Sequence, residues 1–154
     1  MRRVVRRVHL AASPEEAWRA CLELLLRPDP ARGVIKRTCR PDPPLVGSVV
    51  TSTIRARGVE RELRAEVVEL SPPHVLATVA EGPGPAVRTS MSLEPAAGGG
   101  TEVTLVSEAE SGFPVGGRTG RLLDELLLGG PQRRSARSTL RRLGELVAAG
   151  RSRG

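Results

Sequence analysis

Residues 8–18 read VHLAASPEEAW, and they encode a strand that runs directly into a helix. Apolar and polar side chains alternate along residues 2–12, which is the period of a half-buried β-strand, and Arg6 falls on its apolar side. Ser13 can then cap a helix, the proline after it suits the first helical position, and Glu16 completes a capping box. The sequence therefore predicts a first strand followed at once by a helix, which a Pro-Asp-Pro segment ends.

Six more strands are predicted between this helix and residue 110. Proline and glycine clusters recur there at the spacing of hairpin turns, and the runs between them are rich in β-formers. These runs are residues 34–40, 46–57, 60–70, 74–80, 86–94 and 101–110. Short strands joined by tight turns favour one antiparallel sheet with a single buried face.

The C-terminal part of the chain has a helical period. A leucine stripe spans residues 122–127, and Gly129-Gly130-Pro131 interrupts it because proline removes a hydrogen-bond donor. Apolar side chains then follow at helical spacing at Ala136, Leu140, Leu143 and Val147. We expect a single domain over residues 1–150 and a tail over residues 151–154.

Four segments together resemble the SRPBCC/START superfamily, which includes polyketide cyclases/dehydrases and birch pollen allergen proteins. They are VHLAASPEEAW at 8–18, LVGSVV at 45–50, EVVELSPP at 66–73 and GGGTEVTL at 98–105. The likeness covers roughly residues 4–148. It implies an α+β helix-grip fold, in which a seven-stranded antiparallel curved sheet wraps around a long C-terminal helix and leaves a cavity. No catalytic residue of the superfamily can be carried over to this sequence.

Composition narrows the functions. The chain has 154 residues, of which 39% are hydrophobic, and Trp18 and Phe113 are its only aromatic residues. Its net charge is +7, and the basic excess lies at the two ends, with four arginines in residues 1–12 and seven in residues 131–154. Base stacking needs aromatic platforms, so these arginines favour an acidic protein partner over nucleic acid.

Cofactor and membrane signals are missing from the sequence. Cys21 and Cys39 lack CxxC spacing, so neither a zinc nor a redox motif is predicted, and no cofactor is expected. The basic N-terminus has no apolar signal region, and no apolar run is long enough for a membrane span. These features are typical of a cytoplasmic protein; its oligomeric state stays open.

The inward sides of five predicted strands and the apolar faces of the predicted helices supply the cavity candidates. They are Arg6, Trp18, Ser52, Ile54, Ala65, Val67, Thr89, Met91, Val103, Leu105, Ser107, Leu122 and Leu126. Few are bulky, so either an open cavity results or the small side chains bring helix and sheet closer together. Arg6 either holds a carboxylate, phenolate or enolate, or extends to water from its strand end. Trp18 is either a cavity wall or a core residue.

The sequence leaves two functions open. The first is binding of a small hydrophobic molecule, polyketide- or lipid-like, with cyclase/dehydrase-type templating through proximity. The second is a protein-interaction or chaperone-regulating module of the same fold, without a small-molecule ligand.

Overall fold

The computed structural model describes residues 2–81, 86–109 and 130–153. Within these ranges, seven strands form one antiparallel sheet in the order β1-β7-β6-β5-β4-β3-β2. The strands are β1 (Arg2–Leu10), β2 (Val34–Arg40), β3 (Val49–Ala56), β4 (Val59–Ser71), β5 (Val75–Glu81), β6 (Val87–Pro95) and β7 (Thr101–Ala109). Each lies within a few residues of its predicted bounds, so the predicted antiparallel sheet is confirmed.

Helix α1 (Pro14–Leu26) begins with the predicted capping box. The Glu16 backbone N–H donates to Ser13 Oγ at 3.2 Å, and the Ser13 N–H donates to Glu16 Oε1 at 3.4 Å. The consecutive strands β1 and β2 lie at opposite edges of the sheet, so α1 and a short 3-10 turn (Pro30–Arg32) carry the chain between those edges.

Helix α2 (Gly130–Arg153) supplies the C-terminal element of the grip. Pro131 lies in its first turn, where a missing N–H costs no hydrogen bond. Ala136, Leu140 and Leu143 are buried, as their spacing predicts. The predicted leucines Leu122 and Leu126 lie outside the described residues. The helix continues to Arg153, three residues into the segment predicted as a tail.

The packed core occupies one side of the sheet. Helix α2 packs chiefly against α1, β1 and β7. Buried residues from these elements and from the neighbouring strands form the core: Val4, Leu10, Trp18, Cys21, Val67, Leu93, Val103, Leu105, Leu140 and Leu143. The helix therefore lies over the β1–β7 edge, and the strands towards β2 are less fully covered by it. No helix among the described residues has the length and hydropathy of a bilayer span.

The turn between β6 and β7 packs closely against the end of β1. Gly100 has φ +81°, and a β-carbon there would lie 2.4 Å from the Leu10 carbonyl oxygen and 2.8 Å from His9 Nε2. Next to it, Thr101 is fully buried and its hydroxyl donates to the Ala12 carbonyl at 2.7 Å. This corner fixes the direction in which the chain leaves β1 and enters α1.

A buried serine hydroxyl holds the loop that precedes β3. Ser48 Oγ accepts the Leu45 backbone N–H at 2.9 Å and donates to the Pro41 carbonyl at 2.9 Å. The side chain is fully shielded from solvent, so both hydrogen bonds are made without competition from water. The loop therefore delivers β3 to the sheet in a fixed position.

Candidate functional site

A cavity of about 410 Å³ lies between the sheet and the two helices. It lies towards the β2 edge of the sheet, away from β1. Seven elements contribute to its wall: the C-terminal end of α1, strands β2 to β6, and α2. The lining residues are Leu24, Leu25, Val34, Arg37, Val50, Ser52, Ile54, Leu63, Ala65, Leu76, Thr78, Ala80, Thr89, Met91 and Thr139. The volume is in the range of small-molecule pockets, and most of the wall is apolar, as ligand pockets usually are.

The position of α2 over the sheet explains why this cavity forms. Side chains at neighbouring positions on β3, β4 and β5 are small: Val50 pairs with Ala65, and Ala65 pairs with Ala80. With the helix packed towards β1 and β7, these side chains do not reach across to it. The floor of the cavity is this row of three residues.

Arg37 is the charged side chain among the described lining residues. It extends from β2 to the C-terminal end of α1, where its Nη1 donates to the carbonyls of Leu24 and, at 3.1 Å, Arg27. Its Nε donates to Ser52 Oγ at 3.1 Å, across the β2–β3 pair. The last carbonyls of a helix lack partners within the helix, and its C-terminus favours cations, so α1 holds the guanidinium in place.

Hydroxyl groups supply the other polar positions. Ser52, Thr78, Thr89 and Thr139 line the cavity, and Thr78 and Thr89 face each other as a cross-strand pair. A hydroxyl can donate or accept, so these groups can orient a ligand carbonyl or hydroxyl. The described lining residues include no Asp, Glu or His, and no metal-binding cluster of His, Cys, Asp and Glu occurs in the described part of the chain.

Five of the sequence candidates line the cavity. They are Ser52, Ile54, Ala65, Thr89 and Met91. Four others pack in the core or beside it, namely Trp18, Val67, Val103 and Leu105, all of them buried. Trp18 therefore belongs with the core, because it is buried in the core cluster and is not among the described lining residues of the cavity. Ser107 is buried on β7, outside the described cavity lining.

Arg6 does not take the position that would let it bind a ligand in this cavity. It lies on β1, at the opposite edge of the sheet from β2, and is half-buried. Its Nη1 donates to the Val5 carbonyl at 3.0 Å. The alternation along β1 correctly placed Arg6 on the inward face of the sheet. The strand order, however, puts this part of the inward face under the packed core.

Arg37 is the residue that sequence reasoning missed. It stands between Ile35 and Cys39, which are half-buried like it, whereas Lys36 and Thr38 are exposed. The same alternation that singled out Arg6 was therefore present in β2. The sequence does not show that Ser52 lies beside Arg37, because only the β2–β3 register pairs these two residues.

Among the described residues, other concavities of about 220, 160 and 500 Å³ lie along the α1–α2 groove, beside Asp29, and beside the glycine turn 98–100. The first has both charged and apolar residues of the two helices in its wall, and the second combines helix residues with the segment that follows α1. The third is lined by the junction of β1 and α1 and by the glycine turn. None of the three has the apolar wall of inward-facing strand residues that distinguishes the sheet cavity. We therefore take the sheet cavity as the candidate site.

The cysteines are not reactive groups of this site. Burial raises the pKa of the Cys21 thiol to about 12, so the thiol stays protonated at neutral pH. The pKa of Cys39 is also raised, first by burial and then by the negative charge of Asp42. A nucleophilic cysteine needs a lowered pKa, and both shifts run the other way.

A curved antiparallel sheet that holds a C-terminal helix, with a short helix after its first strand, defines the helix-grip class of proteins. The chain belongs to the family described as polyketide cyclase / dehydrase and lipid transport, which matches residues 1–148. No curated protein matches the chain.

Solved structures share this fold at low sequence identity. A Staphylococcus aureus protein of unknown function, SA2116, superposes with a TM-score of 0.77 at 11% identity, covering 97% of this chain and 95% of that one. TTHA0849 from Thermus thermophilus gives 0.70 at 20% identity, with coverage of 97% and 99%. Truncated norcoclaurine synthase from Thalictrum flavum gives 0.70 at 15% identity, with coverage of 95% and 92%. These likenesses establish the fold alone.

Proposed function

We propose that this protein binds a small hydrophobic molecule, polyketide- or lipid-like, in the cavity between its sheet and its C-terminal helix. The observation that carries the proposal is the cavity itself, about 410 Å³ in volume, with an apolar floor and a few inward-facing hydroxyls. Membership of a family that includes polyketide cyclases and lipid-transport proteins supports the same class of ligand.

The residues proposed to contact the ligand are the five sequence candidates that also line the cavity. Ile54, Ala65 and Met91 provide apolar contacts, and Ser52 and Thr89 provide hydroxyls that orient polar atoms of the ligand. Apolar contact supplies most of the affinity, roughly 0.8 kcal/mol for each buried methylene, whereas the hydroxyls select among ligands of similar size.

A cavity of this kind can also direct a cyclisation. A flexible chain that is held folded meets its own reacting carbon far more often than it does in solution, so positioning alone accelerates ring closure. We include such templating in the proposal as a consequence of binding.

Native mass spectrometry of the protein, purified from its own host, tests the proposal. We expect a defined added mass that disappears on denaturation and is recovered as a hydrophobic compound in the organic extract. A clean unliganded mass, unchanged after incubation with hydrophobic extracts, would refute small-molecule binding. It would shift the assignment to the protein-interaction module that this fold also supports.

A further inference from the structure

Two threonines stand side by side in the cavity wall, on strands β5 and β6. Thr78 and Thr89 pair directly across these strands, and both line the cavity. Their hydroxyls have no hydrogen-bond partner within the part of the chain that the structure describes. Ser52, in contrast, already accepts a hydrogen bond from Arg37 Nε at 3.1 Å. The threonine pair therefore offers a ligand two neighbouring hydroxyls that are not engaged elsewhere.

Apolar residues flank this pair along both strands. The next inward-facing pair in one direction is Leu76 with Met91, and in the other direction it is Ala80 with Val87. Leu76, Met91 and Ala80 also line the cavity. A bound molecule therefore meets polar groups at one position of the β5–β6 wall and apolar side chains on either side of it.

We propose that Thr78 and Thr89 together bind one neutral carbonyl oxygen in the interior of a hydrophobic ligand, so that the cavity selects ketones by the position of their carbonyl group. The inference rests on the proposed function and names its ligand class. It also adds Thr78, which the sequence analysis did not single out, to the residues that contact the ligand.

The geometry of an antiparallel pair suits one oxygen with two donors. Directly opposite residues have their β-carbons about 4.5–5.5 Å apart. An oxygen midway between two hydroxyls separated by about that distance lies roughly 2.8 Å from each, which is the length of a hydrogen bond. A ketone oxygen has two lone pairs and no proton, so it can accept from both hydroxyls and brings no donor of its own into the cavity.

The two side chains are ordered before a ligand arrives. Threonine is branched at its β-carbon, which restricts its first side-chain torsion. Strands β5 and β6 each have a neighbouring strand on both sides, so the backbone that carries the pair is held within the sheet. Groups that are already ordered lose less conformational entropy on binding, and more of the hydrogen-bond energy therefore appears as affinity.

The test uses butylbenzene and three ketones that share its carbon skeleton, each measured by displacement of N-phenylnaphthylamine from the full-length protein. In butyrophenone the carbonyl adjoins the ring, in benzyl ethyl ketone it lies one carbon further along, and in benzylacetone it lies near the end of the chain. Apolar burial is nearly the same for these isomers, so burial alone predicts equal affinities. A neutral hydrogen bond contributes about fivefold in affinity, and we expect the best-placed ketone to bind about 10- to 30-fold more tightly than the weakest.

The variants Thr78→Val and Thr89→Val remove one hydroxyl each and keep the branched shape of the side chain. Each should weaken binding of the favoured ketone by about fivefold, and the double variant by about 10- to 30-fold, with butylbenzene unchanged. Thr104→Val is the matched control, because it makes the same change at a half-buried position of β7 that alternates with the buried, inward-facing Val103 and Leu105. It should keep the preference, and thermal unfolding checks that each variant is folded.

The outcomes separate the two proposals. Equal affinities of the three ketones for the wild type would refute carbonyl recognition and leave hydrophobic binding intact; this comparison needs no variant, so it stands even if a threonine variant fails to fold. Failure of the dye and all four ligands to bind would refute the proposed function as well. A preference that survives in Thr78→Val and Thr89→Val but is lost in Ser52→Ala would overturn the inference and place the oxygen site on β3.

Discussion

The substitution Ala65→Phe tests whether ligand and cavity coincide. Ala65 lies at the centre of the cavity floor, between Val50 on β3 and Ala80 on β5. Phenylalanine adds a six-carbon ring that projects into the cavity of about 410 Å³, so we expect the variant to fold and to exclude a comparable length of ligand chain. Filling part of a cavity should cost little stability compared with filling a packed core.

The magnitude follows from the lost contacts. Each buried methylene contributes about 0.8 kcal/mol, which is roughly a fourfold change in dissociation constant. In the wild type, affinity for a series of alcohols from hexanol to tetradecanol should rise by about fourfold per carbon until the cavity is full. In Ala65→Phe the affinity should stop rising at a chain shorter by up to about six carbons. The longest ligand should lose up to about 5 kcal/mol of binding free energy.

Isothermal titration calorimetry below the solubility limit of each alcohol gives the dissociation constants. Ala97→Phe is the matched control, since it adds the same ring at an exposed position in the β6–β7 turn. It should show the wild-type plateau. An identical plateau in Ala65→Phe and the wild type would refute the reasoning, because the ligand would then bind elsewhere.

Three further predictions concern stability. Gly100→Ala should lower the free energy of unfolding by about 2–4 kcal/mol, because it adds a clash with the Leu10 carbonyl to the strain of a left-handed backbone. Gly58→Ala, at φ +76° in open space, should cost only about 1 kcal/mol, and equal urea midpoints for the two variants would contradict the close approach. Ser48→Ala should cost about 1–3 kcal/mol in the same assay, because two backbone groups of the preceding loop lose their partner; an unchanged midpoint would show that the hydroxyl does not brace the loop. Above about pH 9 the folded state keeps the Cys21 proton that the unfolded state loses, so stability should fall towards pH 12 by about 1.4 kcal/mol per pH unit. The pKa of Cys39 is raised too, so Cys21→Ala should reduce the alkaline slope without abolishing it; a slope equal to that of the wild type would argue against the raised pKa of Cys21.

The positions of the strands and of the first helix could be read from local signals. The capping box of Ser13 and Glu16 and the proline and glycine clusters act within a few residues of where they stand in the sequence. Their effect on the backbone does not depend on distant contacts. For that reason the predicted starts and ends of the strands agree with the structure to within a few residues.

The candidate site was only partly predictable, and Arg6 and Arg37 show why. Both arginines lie on the inward side of an edge strand, and their local sequences are equally suggestive. The two edges differ because α1 crosses the sheet and α2 packs towards β1 and β7. One edge is therefore under the core, and the other borders the cavity.

The sequence by itself determined the elements, the antiparallel sheet and the inward side of five strands (β1, β3, β4, β6 and β7), because period and capping are local properties of the chain. Only the tertiary structure decided where the inward side is filled and where it is hollow. That outcome depends on strand order, on the β2–β3 register that places Ser52 beside Arg37, and on the position at which α2 packs against the sheet. Each is a contact between residues far apart in the chain, and no local pattern encodes the distance between them.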